Sequence, residues 1–232
     1  MNSIIESGMN TYTGNFNLLI SVCTEFGPAY NPAPQKLTLQ SLKEQSVHVR
    51  DAINLVDNCV KPALDTESAR HKIFALLPPL ATRVQAAATV LGLSEAVIVR
   101  IKEIVRKIRG KRKHKLKLET EENGLEIKKH ISVSQRSFNE QIEHFTQIIA
   151  LVMAEPLYTP TEDDLKVNAL IAFRDKMGET NDAAVAASIP LANARIQRDE
   201  LLFAPSVGMI DTALTVKEYV KSIFGAASPQ YK

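Results

Sequence analysis

Eight cations crowd into the twelve residues Arg106-Lys107-Ile108-Arg109-Gly110-Lys111-Arg112-Lys113-His114-Lys115-Leu116-Lys117. A run this dense in lysine and arginine neutralises phosphates, of nucleic acid or of an acidic lipid surface, with an affinity set by salt rather than by base sequence. Arg106, Lys107, Arg109, Lys111, Arg112, Lys113, Lys115 and Lys117 are the candidate polyanion contacts. No aromatic side chain is interleaved for stacking on bases, which weighs against a reader of single strands. The competing explanation is a solvated run balanced by Glu119, Glu121, Glu122 and Glu126.

Two other pairs have the spacing of metal chemistry. His144 follows Glu140 by four residues and His71 follows Glu67 by four, which sets carboxylate and imidazole on one helix face. Di-iron bundles instead place Glu and His three apart in both halves. Gly-rich phosphate loops, Cys-x-x-Cys, His-Glu-x-x-His and Gly-x-Ser-x-Gly are all missing from the sequence, so no catalytic, cofactor or metal residue is assigned. Five scattered histidines without a convergent acid and base make a non-enzymatic protein the expectation.

Net charge is +2, but residues 100–129 hold twelve Lys or Arg against five Glu, leaving the remainder acidic. With 9 Gly, no Trp, 6% aromatics and 45% apolar residues in 232, the composition suits helices better than sandwiches or barrels. With just Cys23 and Cys59 a disulfide framework is not indicated, and no secretory leader or spanning apolar segment is legible, so a cytoplasmic protein is expected.

The elements that position these residues come in two copies. Pro28, Tyr30, Pro32, Leu37, Leu42, Pro62 and Arg70 recur 128 positions later as Pro156, Tyr158, Pro160, Leu165, Leu170, Pro190 and Arg198. A second block, Lys102-Glu103-Ile104-Val105, returns as Lys217-Glu218-Tyr219-Val220, and both blocks run on to a glycine, Gly110 or Gly225, in C-cap position. The duplication acts as an internal control. Cys23 aligns with Leu151, Cys59 with Ala187, His71 with Asp199 and His144 with Phe16, so none of them reads as a duplicated ligand. Arg70 and Arg198 do align, and read as cations that cap a bundle layer by an ion pair.

Leu42, Ser46, Val49, Ile53, Val56 and Val60 follow a helical period, as do Leu170, Phe173, Met177, Thr180, Ala184, Ala187, Leu191 and Ala194. The second stripe passes Pro190 in phase, which predicts long kinked helices over about 36–77 and 161–203, with two shorter helices meeting at each proline as the rival. Thr161 before Glu162, Asp163 and Asp164 predicts an N-cap. Between the copies the period falls to two. Leu116–Glu122 and Leu125–Ile131 alternate around Asn123-Gly124, which predicts a β-hairpin pairing Glu119 with Lys128, Thr120 with Ile127 and Leu116 with Ile131.

The strings Arg106-Lys107-Ile108-Arg109-Gly110-Lys111-Arg112, Ile131-Ser132-Val133-Ser134-Gln135-Arg136-Ser137-Phe138, Asn193-Ala194-Arg195-Ile196-Gln197-Arg198, and Val216 to Gly225 followed by Ser228-Pro229-Gln230-Tyr231, resemble a family of functionally uncharacterised, all-helical, internally duplicated bacterial proteins. The resemblance implies a soluble helical architecture and brings no activity, substrate or cofactor with it.

The expected fold is therefore all-α: an elongated helical bundle of two pseudo-repeats with long proline-kinked helices and a small β-hairpin between the copies. Its expected parts are an arm (1–14), repeat 1 (15–110), a basic and acidic linker with the hairpin (111–133), repeat 2 (134–225) and a tail (226–232). The expected function is that of a structural or protein-interaction protein, with self-association favoured by the small-residue run Ala183-Ala184-Val185-Ala186-Ala187. The alternative is nucleic-acid or polyanion binding through 106–117. A charged tongue makes a pore-forming-like protein the weaker reading.

Overall fold

The computed structural model describes residues 3–110 and 137–231. Among them the elements are α1 (Ser3–Glu25), α2 (Leu39–Ala75), α3 (Leu77–Val90), α4 (Glu95–Ile108), α5 (Phe138–Met153), α6 (Val167–Phe203) and α7 (Met209–Phe224), with short 3-10 turns at Gly27–Ala29, Gln35–Leu37 and Asp163–Leu165. No strand occurs among the described residues, which corrects the expected fold class: the described fold is all-helical and has no β element. The hairpin expected over 116–131 lies outside the described residues.

The offset of 128 recurs in three dimensions. Both α2 and α6 are 37 residues long, both follow a 3-10 turn at the same offset, and both run without interruption through an internal proline, Pro62 or Pro190. Before each helix the tyrosine of the Pro-x-Tyr-x-Pro turn is buried and donates its hydroxyl to a buried leucine carbonyl: Tyr30 to Leu37 at 2.7 Å, Tyr158 to Leu165 at 3.1 Å. Each bond satisfies a carbonyl otherwise cut off from water, and so fixes the direction in which the long helix departs. The helices begin later than the sequence predicts. Thr161 is not the cap of α6, because the acidic residues after it form a 3-10 turn in which Asp163 pairs with Lys166 and Asp164 with Arg83.

Two compact units divide the chain, Met1–Leu64 with Ala186–Lys232, and Asp65–Val185. The first holds α1, most of α2, the end of α6 and α7; the second holds the end of α2, α3, α4, α5 and the start of α6. Each unit thus joins the N-terminal part of one repeat to the C-terminal part of the other. This division does not confirm the expected elongated bundle of two repeats.

Each unit has its own core. In the first unit Phe16, Ile20, Leu42, Val49, Leu202 and Val216 are buried together; in the second, Phe74, Leu77, Ile101, Phe145, Ile148 and Met177. The predicted α2 stripe is buried from Leu42 through Ser46, Val49 and Ile53 to Val56, as a 3.6-residue period requires. The second unit has an extra helix. α3 contributes Leu77, Ala81, Val84 and Ala88 to its core, and α5 answers with a wide buried face of His144, Phe145, Ile148, Ile149 and Val152. In the first unit a tight elbow takes the place of α3. There Gly208 N–H donates to the Ala204 carbonyl at 2.7 Å, and a Cβ on Gly208 would fall 2.7 Å from the Ala204 backbone nitrogen, so only glycine fits. α7 ends as the sequence predicts, on Gly225 at φ 84°, and the chain after α4 turns at Gly110, φ 67°.

The helical stretch Leu39–Val90 contains an 18-residue window of mean hydropathy 1.3, which by length and composition could cross a membrane, contrary to the expectation that nothing approaches a span. Core helices meet the same requirement. Phe74, Leu77, Ala81, Val84 and Ala88 from this stretch are core residues of the second unit.

Candidate functional site

Of the eight predicted polyanion contacts, three are described. Arg106 and Lys107 lie half-buried in the last turn of α4, where the helix dipole favours cations, and Arg109 is the exposed C-cap. Lys111, Arg112, Lys113, Lys115 and Lys117 lie outside the described residues.

Neither His–Glu pair forms a ligand set. Glu140 is the N3 residue of a capping box at the start of α5, its carboxylate accepting from the Ser137 backbone N–H and hydroxyl, each at 3.1 Å. His144, one turn on, is 7% exposed, and neither ring nitrogen has a hydrogen-bond partner among the described residues. Burial, then the charge of Lys107, pushes its pKa below the ordinary histidine value. Glu67 shares its carboxylate between His71, at 2.8 Å, and Arg70. Among the described residues no group of three or more His, Cys, Asp or Glu is placed to hold a metal ion.

The aligned arginines keep a role while changing partners. Arg70 pairs with Glu67 and stacks 4.2 Å above the centroid of Phe138; Arg198, buried, pairs with Asp199 at 2.8 Å. Arg198 is held by its chain neighbour, whereas Arg70 also reaches Asn181 at 3.4 Å and leaves its buried Nε without a partner among the described residues. Cys23 is fully buried and burial raises its thiol pKa, so it stays protonated as a core residue; Cys59 is half-buried.

What the sequence reasoning missed is an apolar groove of about 410 Å³ in the first unit, between α1 and α7. Phe16, Leu19 and Val22 of α1, at the spacing that keeps them on one helical face, form one wall with Phe26 just beyond the helix end. Met209, Ala213 and Val220 of α7 form the other, and Tyr231 of the C-terminal tail closes an end. That tail is folded back by hydrogen bonds from Ser228 to Gly225 and from Tyr231 to Ser228, with Lys221 placed 5.9 Å from the Tyr231 ring centroid. The polar groups of the lining are few: Asn15, Lys217 and Gln230, with the hydroxyls of Tyr12 and Tyr231. A concave space of roughly 300–1,000 Å³, mostly apolar with a few polar groups, is the usual form of a small-molecule site. Its lining provides no acid and base pair.

A signal for the groove exists in the sequence. Leu18, Leu19, Val22 and Phe26 stand where the other copy has Thr146, Gln147, Ala150 and Ala154, and Met209 stands where it has Ser94. At these five positions the first unit is the more apolar, while at two others the second is, with Leu151 and Ile98 standing where the groove has Cys23 and Ala213. Leu18, 65% exposed, lies on the groove's lining. Compared with protein-family models, curated proteins and solved structures, the chain matches none.

Proposed function

We propose that this is a non-enzymatic helical binding protein that works through the groove between α1 and α7. One observation carries the reading: Leu18, Leu19, Val22, Phe26 and Met209 line the groove where the other copy has Thr146, Gln147, Ala150, Ala154 and Ser94, although both copies build the same helix pair. A fold that needed the apolar face for stability would carry it twice. The test is a neutral apolar dye, Nile red, titrated with the full chain. Replacing Leu18 and Leu19 by the residues at the matching positions, Leu18→Thr with Leu19→Gln, is expected to weaken dye binding about tenfold by removing apolar contact. Circular dichroism should stay unchanged. Equal affinity in the double variant, or no dye binding by the parent chain, overturns the proposal.

A second reading, polyanion binding through 106–117, is supported by Arg106, Lys107 and Arg109 having no ion pair among the described residues. Its expected mark is a gel shift at low salt that weakens steeply as salt rises and is lost when Lys111, Arg112, Lys113 and Lys115 are changed to Gln. Binding unaffected by those changes would exclude it.

A further inference from the structure

We infer that the occupant of the groove is a single-chain aliphatic carboxylate, its tail along the apolar walls and its head on Lys217. The inference rests on the groove reading above and adds the chemistry of the ligand. Ala213, Lys217 and Val220 follow one another at spacings of four and three, so the lysine interrupts the apolar stripe that α7 turns to the groove. Lys217 has no ion pair among the described residues, and its chain neighbour Glu218 is committed to Lys221 at 3.2 Å.

The internal repeat shows which charges have been withdrawn. Lys217 corresponds to Lys102 of α4, so the cation is present in both copies. On the facing helix of the second unit the matching positions hold Glu140 and Glu143; on α1 they hold Tyr12 and Asn15. The groove has thus kept the lysine and lost both carboxylates of the equivalent face, while gaining leucine and phenylalanine further along the same helix. A ligand that restores what is missing carries one negative charge and an unbranched apolar body. The amides of Asn15 and Gln230 can donate to a second carboxylate oxygen. One cation without an arginine fork suits a monocarboxylate better than a phosphate.

Calorimetric titration of the full chain with myristate and with 1-tetradecanol, which share a chain length and differ in head group, tests this. Myristate is expected to bind more tightly, Lys217→Gln to weaken myristate about fivefold while leaving the alcohol unchanged, and Lys217→Arg to retain the acid. Equal binding of acid and alcohol, unmoved by Lys217→Gln, would overturn the inference yet leave the groove reading standing. Loss of Nile red binding as well would remove both. Sedimentation supplies the remaining arm: a dimer of the full chain that dissociates on Leu18→Glu would put a second copy in the groove, and so refute the carboxylate. Lys217 and Leu18 are exposed, so neither change should threaten folding.

Discussion

Replacing Phe145 by alanine is expected to cost about 3–5 kcal/mol, the largest loss from any single change considered. The ring is completely enclosed in the second unit's core and meets Phe173 edge to face, with centroids 5.7 Å apart. Truncation removes that contact and leaves a cavity that α3, α4 and α5 cannot close without moving together, since Leu77, Ile101 and Ile148 are equally enclosed. Urea denaturation followed by circular dichroism is the measurement. Should the alanine variant fail to fold, Phe145→Leu gives a smaller, graded loss. A change below about 1 kcal/mol in the alanine variant would mean that the ring is not enclosed.

The opposite sign is expected one residue earlier. His144→Phe should stabilise the protein by about 1–3 kcal/mol, because it replaces with carbon two buried nitrogens that lack partners among the described residues. The internal repeat supplies the precedent: the matching position holds Phe16, only 2% exposed in the other core. A pH dependence should vanish with the histidine. In the folded state burial, Lys107 and Arg100 lower the pKa of His144 while Glu140 and Glu143 oppose them, and the net shift is downward. The unfolded chain therefore takes up a proton first as pH falls through about 6.5. Stability from this group is fully present above that value and is lost as pH falls below it, until the depressed folded value is reached. Parent chain and His144→Phe compared by thermal melts at pH 7.5 and pH 5.5 should differ more at the lower pH. A lower midpoint in the variant at both values would contradict the account.

These two residues also show where a sequence reading stops. Position 144 reads as one member of a Glu–His pair on a helix face, and that spacing is real. Which side of α5 is buried depends on the helices packed against it, α4 and α3. That buried face includes both 144 and 145, whereas α1 buries Phe16 and leaves Asn17 half-buried, its side chain accepting from Ser46 at 2.5 Å. Glu140, the supposed partner of His144, is taken by the helix start. The capping box is legible in Ser137 and Glu140, three residues apart, and it competes with the metal spacing for the same carboxylate.

The sequence by itself determined what is local and periodic. Helix existence, the buried stripe from Leu42 to Val56 and the closing glycines follow from a 3.6-residue period and from backbone preferences within a few residues, whereas the choice between one long helix and two at Pro62 and Pro190 is made only by the structure. The offset of 128 determined that two such sets exist. Tertiary structure alone decided that the halves are exchanged between units, because a stripe on a long helix says that it is covered and not by which copy. It also decided that α1 and α7 leave a groove between them. Whether an apolar side chain such as Leu19 lies in a core or lines an open space depends on how much of it the opposing helix covers, and no spacing within one helix encodes that distance.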